Sequence, residues 1–256
     1  MKRILLNLRA LGRLTRVAIH LVAGAAIVGL IYPLIGTKSR RDIKQRWSRQ
    51  LLDMFGVELA VSGATTGAMR VANHVSWLDI FVINAVSPAV FIAKHDVRSW
   101  PLIGWMSSKA GTLYIRRGSR RAAHEASLEL TACLKNGIEV VAFPEGTTSD
   151  GREVLPFHGA LLQGAIAAGV PIQPVALSYA TRDERPAQAP VYCGETSLIT
   201  SMWRVAVAND LTVRLEFLAR RDATSYERRE LAMQLRDDIR AVMPPLLPQD
   251  RSTAAA

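Results

Sequence analysis

The sequence predicts an α/β fold with a largely parallel central sheet flanked by helices, preceded by an N-terminal membrane-associated helical segment. Three observations carry this expectation. Short β-like runs alternate with helical ones through the body of the chain. A central run, "IEVVAF" at 138–143, is apolar along most of its length, as a strand covered on both faces must be. The charge excess is confined to the first 50 residues, where it brackets a long apolar stretch.

The elements follow in order. After a basic linker at 36–50, "ELAVSG" and "MRVANH" read as strands, and "SWLDIFVINAV" as a helix stopped by Pro88. "AVFIAK" (89–94) is strand-like, a helical stretch through "WMSSKA" ends at Gly111, and "TLYIRR" is again a strand. "SRRAAHEASLELTACLKNG" is the clearest helix, opening at Ser119 and closing at Gly137. "IEVVAF" is a strand, "GALLQGAIAAG" a helix and "VPIQPVALSY" a strand, and polar "TRDERPAQAP" is a surface loop. "LTVRLEFLA" (211–219) alternates as a strand does, and a helix from Ser225 to Met243 ends before Pro244-Pro245. The expected organisation is an anchoring segment at 1–50, one compact domain at 51–245 and a disordered tail at 246–256.

The net charge of the 256 residues is +10, from 32 basic and 22 acidic side chains. Residues 1–50 hold eleven basic residues and one acid, which accounts for the whole excess and leaves 21 of each sign in the body. That distribution argues against a nucleic-acid partner and for an anionic membrane surface. Residues 17–35 are apolar except for His20, and 19 residues at about 1.5 Å each just reach the ~30 Å of a bilayer core. A buried core helix or a signal peptide would carry the same run. Ile4, Leu8 and Leu11 share a helical face opposite Arg9, Arg13 and Arg16, the pattern of a helix lying in a lipid surface. Basic residues flank both ends of the run, so charge chooses no orientation for a single span. The same symmetry suits a segment that dips in and returns, bending at Gly24, Gly29 or Pro33. Cys133 and Cys193 make neither a disulfide framework nor a zinc site, and no CxxC or HExxH spacing occurs.

The chemistry centres on "NHVSWLD" (73–79) and "PEGTTSDG" (144–151), both placed where strands end, which is where α/β folds build sites. Among five histidines, His20, His95, His124 and His158 have no evident partner. His74 has Asp79 five residues on. If a helix begins at Ser76, the Asp79 carboxylate can reach back to one imidazole nitrogen, fix the tautomer and leave the other nitrogen to accept a proton. The same spacing, Ser76-x-x-Asp79, also fits a capping box in which Asp79 only satisfies a backbone N–H. In the second segment Gly146 allows close approach of backbone amides to an anion, and Glu145 can accept from ligand hydroxyls, although these residues also build ordinary turns. A serine hydrolase with Ser76 as nucleophile would need a G-x-S-x-G elbow, which is absent. A non-enzymatic membrane-surface module is the remaining alternative.

Together the segments resemble the 1-acyl-sn-glycerol-3-phosphate acyltransferase family, the membrane-associated lysophospholipid acyltransferases of the HX4D type. The first block is Asn73-His74 with Asp79, and the second is Gly111 through "TLYIRR" with Arg117 at the arginine position. The third is Phe143-Pro144-Glu145-Gly146-Thr147, and the fourth is Val170-Pro171-Ile172-Gln173-Pro174. The resemblance implies that His74, oriented by Asp79, deprotonates the free hydroxyl of lysophosphatidic acid for direct attack on the thioester of acyl-CoA or acyl carrier protein, giving phosphatidic acid without an acyl-enzyme. It implies no cofactor and no metal, only that co-substrate. Asn73, Lys94, Arg117, Glu145, Gly146, Thr147 and Thr148 are then the expected substrate-binding residues. Lys94 and Arg117 belong to a basic stretch, Lys94 to Arg121, suited to phosphate and an acidic carrier. It further implies a site at the inner (cytoplasmic) membrane with the catalytic domain facing the cytoplasm. One departure stands out: the family commonly has arginine where this chain has Thr148. Similar enzymes that acylate lyso-ornithine lipid share that variation, which makes this lipid the alternative acceptor.

Overall fold

The computed structural model describes residues 2–115 and 120–245. Seven strands form one sheet in the order β1-β7-β6-β2-β5-β3-β4. They are β1 (Val57–Ser62), β2 (Met69–Ala72), β3 (Val90–Lys94), β4 (Leu113–Ile115), β5 (Val140–Ala142), β6 (Ile172–Ala180) and β7 (Leu211–Phe217). Every neighbouring pair is parallel except β6 with β7. The expected largely parallel sheet is therefore observed, with β1 and β7 running against the other five.

Among the described residues eight α-helices cover it: α1 (Lys2–Ala26), α2 (Thr37–Phe55), α3 (Leu78–Val86), α4 (Ile103–Lys109), α5 (Arg120–Lys135), α6 (Gln163–Ala168), α7 (Leu198–Val207) and α8 (Arg228–Val242). The pleat sorts side chains to the two faces. Val141, Val175, Leu177 and Tyr179 join a core with α1, α2, α3 and α7, whereas Met69, Val71, Val140 and Ala142 pack with α5, α6 and α8. Strands covered on both sides read as continuous apolar runs, which is why β5 and β6 stand out in the sequence.

The expected helix through "GALLQGAIAAG" divides into a 3-10 turn, Gly159–Leu162, and α6. The opening expected at Ser119 and the tail at 246–256 lie outside the described residues. One reading needs correction, and one helix was missed. The basic stretch 36–50 is not a linker but most of α2, which runs on across position 50 to Phe55. Its early turns show little apolar periodicity because they are held by polar contacts: Lys44 donates to Ala89 O at 3.1 Å, and Gln45 and Arg49 donate to Val86 O and Ala85 O at 2.8 and 2.6 Å. Helix α7 was not anticipated. Its signal is Ser197, whose hydroxyl accepts the Thr200 amide as an N-cap.

The N-terminal segment is one bent helical run. α1 passes into a π turn (Ile27–Ile31) and a 3-10 turn (Tyr32–Leu34) containing Pro33, after which the chain reverses into α2. Ala10, Val17, His20 and Gly24 along α1, and Val28 in the π turn, face the protein. His20 stacks on Trp47 with ring centroids 4.5 Å apart, and its Nε2 lies 3.0 Å from Trp47 O. A Cβ at position 24 would lie 2.6 Å from Trp47 Nε1, so glycine there admits the indole between the two helices. The opposite face carries Ile4, Leu8, Leu11, Ile19 and Val22, all exposed. Arg9 and Arg13, expected opposite that apolar face, turn to the body of the protein. They donate to Val207 O (2.9 Å), Ala206 O (3.0 Å) and Ala208 O (3.0 Å), covering the carboxyl end of α7 where cations are favoured. Arg16 stays exposed.

Candidate active site

β2 lies between β5 and β6, so the loops leaving β2 and β5 meet at the carboxyl edge of the sheet. The chain leaves β2 through Asn73 and His74 and enters α3 at Leu78, putting Asp79 in the first helical turn. Asp79 is fully buried. Its Oδ2 lies 2.8 Å from His74 Nδ1 and also accepts the amides of Val75 (2.8 Å) and Ser76 (2.9 Å). The Ser76 hydroxyl in turn accepts the Leu78 amide at 3.3 Å. The capping contact and the histidine contact therefore coexist on one oxygen. Because the partner is a carboxylate, Nδ1 carries the proton and Nε2 is the imidazole acceptor. Nε2 has no hydrogen-bond partner among the described residues, and the His74 side chain retains 19% of its accessible surface. Ser76 is buried with its hydroxyl serving the helix start, which disfavours it as a nucleophile.

The other Asp79 oxygen, Oδ1, accepts the Tyr179 hydroxyl at 2.6 Å. Nothing local in the sequence announces this contact, since the partners are 100 residues apart. The His74 ring lies flat on Phe143, with centroids 3.9 Å apart and an interplanar angle of 11°, and Phe143 stacks on Phe91. The imidazole is thus fixed by a carboxylate at Nδ1 and an aromatic face beside it.

The third block turns inward. Glu145 is only 4% exposed, and its Oε1 accepts the His74 backbone amide at 3.1 Å. Its Oε2 has no hydrogen-bond partner among the described residues. Burial, reinforced by the nearby Asp79 charge, outweighs the backbone donors and Arg236 and pushes the Glu145 carboxyl up to about 8. The Gly146 amide, expected to approach an anion, donates to Phe143 O at 3.0 Å in a turn with φ of +68°. Ser149 N donates to His74 O at 2.8 Å, tying the loop back to the first block.

The remaining expected residues separate into two groups. Asn73 is buried, and both ends of its amide are engaged by Leu177: Nδ2 donates to Leu177 O and Leu177 N donates to Oδ1, each at 2.8 Å. The Thr148 hydroxyl donates to Tyr192 O, while the Tyr192 amide donates to Val75 O at 3.1 Å. These two side chains tie the site together through backbone groups. Thr147 and Lys94 are exposed, Lys94 at the carboxyl end of β3 beside β5. Arg117 lies outside the described residues. Among the described residues, no group of three or more His, Cys, Asp or Glu is placed to hold a metal ion.

Comparison with known proteins agrees with this architecture. A family model described as Acyltransferase matches residues 57–178. The chain is 37% identical over 248 residues to the lyso-ornithine lipid O-acyltransferase of Pseudomonas aeruginosa, covering 95% of each chain. It is 41% identical over 178 residues to the 1-acyl-sn-glycerol-3-phosphate acyltransferase of Neisseria meningitidis serogroup B, covering 69% of each. The crystal structure of the 1-acyl-sn-glycerophosphate acyltransferase from Thermotoga maritima superposes with a TM-score of 0.69 at 22% identity, covering 100% of this chain and 99% of that one, so the fold is shared.

Proposed function

The chain belongs to the acyltransferase family, and we propose on that premise that it moves a fatty acyl group from acyl-CoA or acyl carrier protein to the free hydroxyl of a lysolipid. The observation that carries the reading is the His74 Nδ1 to Asp79 Oδ2 contact of 2.8 Å, with Asp79 buried and Nε2 of His74 without a partner among the described residues. Nε2 takes the hydroxyl proton as the oxygen attacks the thioester carbonyl. Asp79 stabilises the imidazolium that forms, and His74 returns the proton to the departing thiolate as the carbon–sulfur bond breaks. No residue is acylated along this path. Lys94 and Arg117 are the cations proposed to receive the acceptor's phosphate, and Thr147 is the proposed contact for its glycerol.

Lysophosphatidic acid is the first choice of acceptor, supported by the four blocks in the family's order and by the Neisseria relative. Lyso-ornithine lipid is a second reading with its own support. The Thr148 hydroxyl is committed to Tyr192 O at the position where an arginine would meet phosphate, and the relative matched over 95% of its length is named for that lipid. The test is acyl transfer to both acceptors by the wild type and by His74→Ala. Equal turnover in the variant would remove His74 from the mechanism, and a higher kcat/KM for the ornithine lipid would replace the first choice. Absence of wild-type turnover on any lysolipid would favour a membrane-surface module.

The membrane contact follows from α1. The run Arg3–Leu34 is long and apolar enough to cross a bilayer, yet one of its faces is packed against α2 and α7. A spanning helix would present that face to lipid. We therefore infer that α1 lies in the cytoplasmic leaflet of the inner membrane with Ile4, Leu8, Leu11, Ile19 and Val22 immersed, the catalytic body facing the cytoplasm. A tag at the N-terminus should be reachable from the same side as one on α8, and opposite sidedness would mean a span.

A further inference from the structure

We propose that Tyr179 is a positioning residue for the acyl-transfer site, holding Asp79 in the one rotamer that serves His74 and setting how strongly that carboxylate supports the imidazolium. The inference rests on the reading of His74 as general base. Asp79 has two oxygens in a dry environment. Oδ2 serves three donors, and Oδ1 has the Tyr179 hydroxyl at 2.6 Å. Without that donor, Oδ1 would be a charged oxygen left unpaired in the core, a state that buried carboxylates relieve by rotating toward any available donor. Rotation about the Cβ–Cγ bond would carry Oδ2 away from His74 Nδ1.

Tyr179 is built to prevent this. It is buried near the carboxyl end of β6, where its own carbonyl accepts the Ala187 amide at 2.9 Å and its backbone pairs with Val213 of β7. Two residues earlier on the same pleat face, Leu177 is clamped to Asn73 by the pair of hydrogen bonds described above. β6 thus grips the first block at both its asparagine and its aspartate. Burial, then the Asp79 charge and hydrogen bond, keep the phenol well above its ordinary range, so it remains a donor wherever the enzyme works. The charged and titratable groups around the pair are Glu145 from the loop after β5, Tyr179 from β6, and Arg236 of α8 acting on Glu145.

The test is Tyr179→Phe in the full-length protein, with kcat and KM measured from about pH 5.5 to 9.5 beside the wild type and His74→Ala. An Asp79 relieved of its donor turns Oδ2 away from His74 Nδ1, so the imidazolium loses its support and the ring its orientation. The acid limb of kcat/KM should move to lower pH, and kcat near neutrality should fall about 10- to 100-fold, a fraction of what a general base supplies. KM should hold, because Tyr179 is buried and its hydroxyl is engaged by Asp79. Incorporation of a fluorotyrosine at 179, a stronger donor of nearly the same shape, keeps Asp79 in place but draws charge from Oδ2, so the limb should move down with kcat retained, and it serves where the phenylalanine variant does not fold. An unmoved limb in both proteins, whether or not overall rate drops, overturns the proposal. Turnover by His74→Ala would instead overturn the base assignment on which it rests.

Discussion

Glu145→Gln should remove a pH-dependent loss of stability that the wild type carries between about pH 4.5 and 8. In the folded protein the Glu145 carboxyl is raised from 4.5 to about 8 by burial, with Asp79 adding to the shift. Between those values the folded state keeps a proton that the unfolded chain has released. Stability is therefore greatest below the unfolded value, falls as pH rises through the window, and has lost the whole contribution above pH 8. A shift from 4.5 to about 8, at 1.36 kcal/mol per unit, corresponds to about 5 kcal/mol. For a chain of this size that is on the order of 10–20 °C in Tm. Glutamine keeps the acceptor that Oε1 offers to the His74 amide and is neutral at every pH, so it mimics the protonated acid. Thermal unfolding in detergent should give similar midpoints for the two proteins near pH 5 and a more stable variant near pH 8.5. Midpoints that run parallel across the range would refute the argument that Glu145 ionises against its burial.

Three further outcomes follow from the same contacts. Asp79→Asn keeps an oxygen for His74 Nδ1 and the Val75 and Ser76 amides but loses the charge, so kcat should drop about 10²- to 10⁴-fold with KM little changed; a loss confined to KM would contradict the assigned role. Glu139→Ala strips the buried Arg70 guanidinium of the carboxylate 2.5 Å away and should cost about 3–5 kcal/mol in denaturant unfolding, whereas Arg70→Met with Glu139→Leu should recover most of it; a double variant as weak as the single one would contradict the pairing argument. Asn73→Ala leaves the Leu177 amide and carbonyl without partners in the core and should cost roughly 2–5 kcal/mol, seen as a lower denaturant midpoint; an unchanged midpoint would mean water replaces the side chain.

What the sequence made legible and what it hid divide along physical lines. β2, β5 and β6 are covered on both faces, so their apolar runs survive in one dimension. The His74–Asp79 pair is local, held within one loop and one helical turn, and both of its readings could be derived from spacing alone. α2 was hidden because Lys44, Gln45 and Arg49 reach carbonyls at element ends instead of burying an apolar stripe, and only Leu51, Leu52 and Phe55 near its end show a core face. The inward turn of Glu145, the engagement of Asn73 and Thr148 with backbone, and the Tyr179 contact depend on which strands are neighbours, and spacing along the chain does not encode that.

Strand order also brings the blocks together, although the third and fourth supply no group to the proton transfer proposed for His74. β2 sits between the strands that carry them, so each side of the first block is braced by a different one. From β5, Glu145 holds the His74 amide and Ser149 holds the His74 carbonyl, fixing the backbone on both sides of the base. From β6, Leu177 holds Asn73 and Tyr179 holds Asp79, fixing the residues on either side of the base in the motif. A general base works only while its donor, ring plane and backbone agree to within a fraction of an ångström. A substitution in β6 that moves the strand even slightly should therefore reach the chemistry through Asn73 and Asp79 without touching a substrate. Catalytic defects from that strand should appear in kcat and in the pH profile before they appear in KM.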